Sequence, residues 1–109
     1  MPGQHLNFSV VTEISGDERR VRPNGELDIA SRGALDSALA AAEAQGVGDV
    51  VLDLRGVSFM DSAGVHAAVD SERRCKATGV SLRVVPGSDR VQRLFRITGT
   101  ETLLPFAPA

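Results

Sequence analysis

The spacing of apolar residues changes several times along this chain, and each change marks an element. Phe8, Val10 and Thr12 alternate with Ser9, Val11 and Glu13, which is the two-residue period of a strand. Ser15-Gly16-Asp17-Glu18 reads as a polar turn, and Arg19-Arg20-Val21-Arg22-Pro23 as the returning strand of a hairpin. Pro23 has no N–H to give a ladder, so that strand is expected to end there or to lie at an edge. Gly25-Glu26-Leu27-Asp28 follows as a loop. Ala34, Leu35, Ala38, Leu39 and Ala42 then recur at helical spacing, with Ser31 or Asp28 as the cap and Gly46 as the stop. Val50 to Leu54 is short, β-branched and nearly continuous, the pattern of a strand covered on both faces. A second helix is expected from about Ser62 to Ala77, ended by Gly79. Val80 to Val85 forms a third buried-type strand, broken by Pro86-Gly87. Ser88 caps a short helix carrying Val91, Leu94, Phe95 and Ile97, and Gly99 ends it. Thr102 to Phe106 is a last strand or a terminal tail.

The resulting order, ββαβαβα with an optional final strand, predicts an α/β fold with a mostly parallel or mixed sheet of four or five strands. A length of 109 residues suits one domain with one modest core. Trp and Tyr are missing and only four Phe are present, so the core must come from Val, Leu, Ile and Ala. Few aromatics also argue against a single-strand nucleic-acid surface, which needs stacking platforms. Lys+Arg number 12 against Asp+Glu 14, a net charge of −2 with the signs interspersed, so no field favours nucleic acid or an anionic membrane. Arg19-Arg20 and Arg73-Arg74 read as solvated pairs. Cys75 is the single cysteine, which excludes an internal disulfide and leaves no zinc spacing. No signal peptide pattern and no membrane-length apolar run is present, and the default compartment is the cytoplasm.

The chemistry concentrates in Val57-Ser58-Phe59-Met60-Asp61-Ser62-Ala63-Gly64-Val65. A strand runs towards this segment and a helix leaves it, which puts Asp61 and Ser62 where the helix begins. A hydroxyl there is exposed, near the positive end of a helix dipole, and open to a partner or an enzyme. The plain alternative is a helix N-cap, worth about 1 kcal/mol. Gly64 in the first turn costs roughly 0.5–1 kcal/mol against alanine, which points to close approach by another backbone or a ligand. Asp28 is expected near Ser62 across neighbouring strand ends, or else as an Asx turn opening the first helix.

The same residues supply the parts of a hydrolase triad, with Ser62 and His66 four apart on one helix face and Asp28 or Asp61 as the acid. Against this, the segment is not Gly-x-Ser-x-Gly, and Asp61 has no evident way to orient the far nitrogen of His66. His66 is expected as a half-exposed surface residue. The phosphate-binding glycine patterns of nucleotide enzymes are missing from the sequence.

Gly25 to Asp28, Val51 to Gly64 and Val91 to Gly99 resemble the three hallmark segments of the STAS domain. More narrowly, the chain is similar to the small stand-alone anti-sigma factor antagonists of bacteria over residues 6 to 106, nearly its whole length. The resemblance implies a single STAS-type domain that acts by reversible protein binding, is not an enzyme and needs no cofactor. It implies that the unmodified chain binds an anti-sigma factor that is also a serine kinase with a histidine-kinase-like ATPase fold. That binding frees the sigma factor. The kinase phosphorylates Ser62, the modified form no longer binds, and a metal-dependent serine phosphatase resets it. The partner surface implied comprises Gly25, Asp28, Asp61, Ser62, Ala63, Gly64, Val65 and His66. Two departures stand out: many relatives carry a second Ser or Thr at Ala63 and a small residue, often Gly, at His66. The alternatives are a constitutive STAS scaffold in a larger signalling complex and a small serine hydrolase.

Overall fold

The computed structural model describes residues 7–44 and 48–108. The elements are β1 (Phe8–Ser15), β2 (Glu18–Leu27), α1 (Arg32–Glu43), β3 (Asp49–Asp53), β4 (Val57–Met60), α2 (Ser62–Thr78), β5 (Ser81–Val85), α3 (Asp89–Ile97) and a 3-10 turn, Glu101–Leu103. The α/β order expected from the hydrophobic pattern is present, with one short strand, β4, added between β3 and α2. Gly46, the expected stop of α1, lies outside the described residues. Gly79 ends α2 with φ 77° and Gly99 follows α3 with φ 72°, the left-handed geometry that favours glycine.

Strand β2 is the hub of the sheet. It pairs antiparallel with β1 from Phe8↔Gly25 to Ser15↔Glu18. Its other edge is divided: Glu18–Val21 pair in parallel with β3, and Gly25–Leu27 pair in parallel with β4. Strand β5 continues the sheet beyond β3. This arrangement corrects two expectations. Pro23 ends nothing, because β2 runs through it to Leu27, so Gly25 to Leu27 is strand and not loop. Proline is tolerated in this interior strand because residues 22–24 fall in the gap between β3 and β4, where no ladder partner is lost.

One face of the sheet packs on α1 and α2. Val21, Val50, Leu52, Leu82 and Val84 from the strands join Leu35, Leu39, Val65, Ala68 and Cys75 from the helices in one core cluster. Helix α3 adds Val91 and Phe95, and the Phe95 ring meets Phe106 edge-on with centroids 5.1 Å apart. Ile97, expected on the same apolar face, is 68% exposed.

Strand β3 is buried on both faces, as its composition predicts, but its second cover is not a helix. Val51 lies between Arg20 and Arg83 in the sheet register and is fully buried. Asp53, two residues on, is 2% exposed and gathers arginines. Arg55 donates to it from Nη2 at 2.7 Å and from Nε at 3.0 Å, and Arg20 Nη1 donates at 3.1 Å. Glu18 pairs with both Arg20 and Arg83. Arg19, on the helix side, is likewise buried and donates from Nε to the Ala42 carbonyl of α1 at 2.8 Å. The Arg19-Arg20 pair is thus structural and not a solvated face.

Hydrogen bonds from Arg55 and Arg20 hold the Asp53 carboxyl down at about 2, against the opposing effect of burial. A depressed folded pKa means that the stabilisation is complete above the unfolded value of 3.8 and is lost as pH falls through about 2. Asp53→Asn is expected to lower the unfolding free energy near neutral pH by about 2 kcal/mol, with the gap to wild type closing below about pH 3. Urea titrations of both proteins at two pH values check this; a gap that stays constant with pH refutes it.

Gly64 packs its backbone into the core. A Cβ there would collide with Met60 Cγ and lie 2.6 Å from Met60 Sδ and 2.9 Å from Leu27 Cδ2. Gly64→Ala is therefore expected to destabilise the fold by about 1–3 kcal/mol despite alanine's better helix propensity. Chemical denaturation reads the sign directly; a stabilised variant would mean that α2 moves without cost.

Candidate functional site

Strands β2 and β4 end side by side, with Leu27 paired to Met60. The Leu27 carbonyl accepts the Asp61 N–H at 3.2 Å, so Asp28 and Asp61-Ser62 leave the sheet as neighbours. The strand that covers Val50 to Asp53, β3, is not the neighbour of the β2 end. β4 occupies that place instead, because β3 pairs only with the first part of β2.

Asp61 caps α2. Its backbone is extended, with φ −112° and ψ −168°. Its Oδ1 accepts the Ala63 N–H at 2.8 Å, and its carbonyl accepts the Gly64 N–H at 3.1 Å. Ser62 is left as the first helical residue, exposed, with no side-chain hydrogen bond among the described residues. Asp28 forms the Asx turn: its Oδ1 accepts from the Ala30 and Ser31 N–H groups, each at 3.0 Å. Ser31 stands at the N-cap position of α1, one of the two expected for the cap, but it is buried and its side chain makes no capping hydrogen bond. Its Oγ donates to the Glu26 carbonyl at 2.8 Å and accepts the Asp28 N–H at 2.9 Å, which ties the loop back to β2. Two carboxylates therefore flank an exposed hydroxyl, and each is occupied with its own backbone.

The remaining candidate residues divide by burial. His66 is exposed one turn beyond Ser62. Val65, expected on the partner surface, is 1% exposed and belongs to the core cluster, because it falls on the helix face turned to the sheet. Ala63 and Gly64 are buried as well. The close approach that Gly64 permits is to the chain's own Met60 and Leu27 and not to a partner backbone. Gly25 is half-buried inside β2 at the register shift towards β4, with φ +98°. A Cβ at Gly25 would strike the Asn7 carbonyl, so this glycine serves the strand pairing. The surface that remains is Asp28, Asp61, Ser62 and His66.

Two exposed apolar residues stand close to it along the chain. Ile29 follows Asp28 and is 84% exposed, and Phe59 in β4 is 45% exposed. The signal was present: Ile29 stands in a turn with no helical partner for its period, and Phe59 precedes the motif in a strand too short to be noticed.

Triad geometry is not assembled among the described residues. No hydrogen bond joins Ser62 to His66, and the two nearby carboxylates are held by backbone amides instead of orienting an imidazole. Three clefts are lined elsewhere, for example one of about 320 Å³ by Arg22, Asn24, Asp53, Arg55 and Gly56 on the sheet face opposite the helices. Ser62 and His66 line none of the three. Among the described residues no group of three or more His, Cys, Asp or Glu could hold a metal ion, and no helix is long and apolar enough to cross a membrane.

Comparison with known proteins gives this geometry a family. The STAS domain profile matches residues 9–109. An anti-sigma-B factor antagonist of Staphylococcus aureus is 30% identical over 99 residues, which cover 91% of this chain and 92% of that protein. The anti-sigma-B factor antagonist of Staphylococcus epidermidis is 31% identical over the same shares. Among solved structures, an anti-sigma factor antagonist from Mycobacterium paratuberculosis superposes with a TM-score of 0.84 at 24% identity, over 100% of this chain and 90% of that one. The phosphorylated form of the Bacillus cell fate determinant SpoIIAA superposes with a TM-score of 0.67 at 22% identity, over 92% and 90%. These structural likenesses are of fold. With a profile that runs from β1 to the C-terminus and relatives alike over nine-tenths of both lengths, the chain belongs to the STAS domain family.

Proposed function

We propose that this protein is an anti-sigma factor antagonist that works by partner switching, with Ser62 as the phosphoacceptor. The observation that carries this reading is the exposed Ser62 hydroxyl, placed first in α2 on a frame whose neighbouring groups are already satisfied. The names of the staphylococcal relatives support the partner class. In the unmodified state Asp28, Asp61, Ser62 and His66 form a polar rim, and Ile29 and Phe59 supply apolar contact for the anti-sigma factor.

The anti-sigma factor acts also as a serine kinase. Ser62 Oγ attacks the terminal phosphorus of its bound ATP, the Oγ–P bond forms, the bond to the bridging oxygen breaks, ADP leaves, and a base on the kinase takes the serine proton. The product carries about −1.5 to −2 units of new charge beside Asp61 and Asp28. Like-charge repulsion and the cost of desolvating a dianion then oppose rebinding. A metal-dependent serine phosphatase removes the phosphate by hydrolysis and restores the binding form. The chain itself is a binding protein and supplies no catalytic group.

The test compares Ser62→Ala and Ser62→Asp for binding to the cognate anti-sigma factor by calorimetry, together with phosphate mapping after incubation with that protein and ATP. Wild type and Ser62→Ala are expected to bind alike, Ser62→Asp at least about tenfold more weakly, which is about 1.4 kcal/mol. The phosphate is expected on Ser62. Equal binding by all three with Ser62 unmodified would leave a constitutive scaffold, and labelling of Ser62 by a fluorophosphonate probe would instead restore the hydrolase.

A further inference from the structure

Two of the three amide groups that usually receive a phosphate at a helix N-terminus, those of Ala63 and Gly64, are taken in α2. Asp61 Oδ1 holds the Ala63 N–H and the Asp61 carbonyl holds the Gly64 N–H. A phosphate on Ser62 must find its counter-charge elsewhere. Within one turn after Ser62 the residues are Ala63, Gly64, Val65 and His66, and His66 alone carries a side chain able to bear positive charge. We propose that His66 is the intramolecular clamp of the phosphorylated form, its imidazole closing on the Ser62 phosphate along the face of α2. This rests on Ser62 being the phosphoacceptor.

The geometry favours the contact. Both residues are exposed on a continuous helix, four positions apart. Helical side chains lean towards the N-terminus, which carries the imidazole back over Ser62. An anion one turn N-terminal to a cation is the better of the two orders for such a pair. The competing groups are engaged. Asp70, one turn beyond His66, is held by Arg32 Nη2 from α1 at 2.7 Å and lies 3.6 Å from Arg73. Arg32 also binds Asp36. Asp28 and Asp61 accept from backbone amides. His66 itself makes no hydrogen bond among the described residues, so the phosphate meets an uncommitted imidazole. The clamp would draw the phosphate onto its own helix, away from an incoming partner.

The readout is the ³¹P titration of the full chain carrying phosphoserine at position 62, installed by genetic encoding so that no kinase or partner is involved. The second ionisation of the phosphate, near pH 6 in an unclamped monoester, is expected roughly 0.2–0.4 pH unit lower in wild type than in His66→Ala, the size of an exposed i,i+4 ion pair. His66→Lys is expected to restore the displacement, His66→Gln not, and about 1 M salt to erase it. Equal midpoints in wild type and His66→Ala, in chains whose amide spectra show the same fold, overturn the clamp. So does a His66→Lys variant that behaves like alanine. Failure of the switch itself would show separately, in the binding and phosphate-mapping experiment on Ser62.

Discussion

The divided edge of β2 is the constraint on which the rest of the molecule depends. One strand of ten residues serves β1 along one edge and two successive parallel partners along the other. The division permits Pro23 in an interior strand and places Gly25, at φ +98°, where the register shifts. It also makes Leu27 and Met60 neighbours, so the Leu27 carbonyl can receive the Asp61 N–H. Without the change from β3 to β4, the turn that opens α1 and the residue that caps α2 would leave the sheet apart.

The two faces of the sheet are closed by different physics. Aliphatic side chains from α1 and α2 close one face by burial. A lattice of arginines around Asp53 and Glu18 closes the other, with Val51 buried beneath it. A carboxylate 2% exposed is tolerable only because several guanidinium donors converge on it. This lattice involves neither Asp61 nor Ser62, so charge added at the end of β4 need not disturb it.

The candidate site joins rigid support to a free acceptor. Asp61 spends its carboxylate on the first turn of α2, Asp28 spends its own on the turn before α1, and Gly64 seats that first turn on Met60 and Leu27. Ser62 is the group left over. Under the proposed phosphorylation, a hydroxyl that takes no part in the support would gain its phosphate with the fold unchanged, and the switch would act through surface charge and not through rearrangement.

The chain's periodicity and punctuation determine a good deal by themselves. The hairpin turn at Gly16, the caps Asp61 and Ser88, the stops Gly79 and Gly99, and the helical stretches all follow from residue type and spacing, because each is made of contacts within a few residues. The three hallmark segments made the STAS domain legible. Only the tertiary structure decided that Val65 and Gly64 face inward, that β4 and not β3 flanks the end of β2, that Arg19 is buried while Arg20 pairs with Asp53, and that Ile29 and Phe59 stand exposed. Strand register and ion-pair choice join residues that are far apart in sequence, and several alternatives satisfy the same local pattern. Which one forms is settled only when all the elements pack at once.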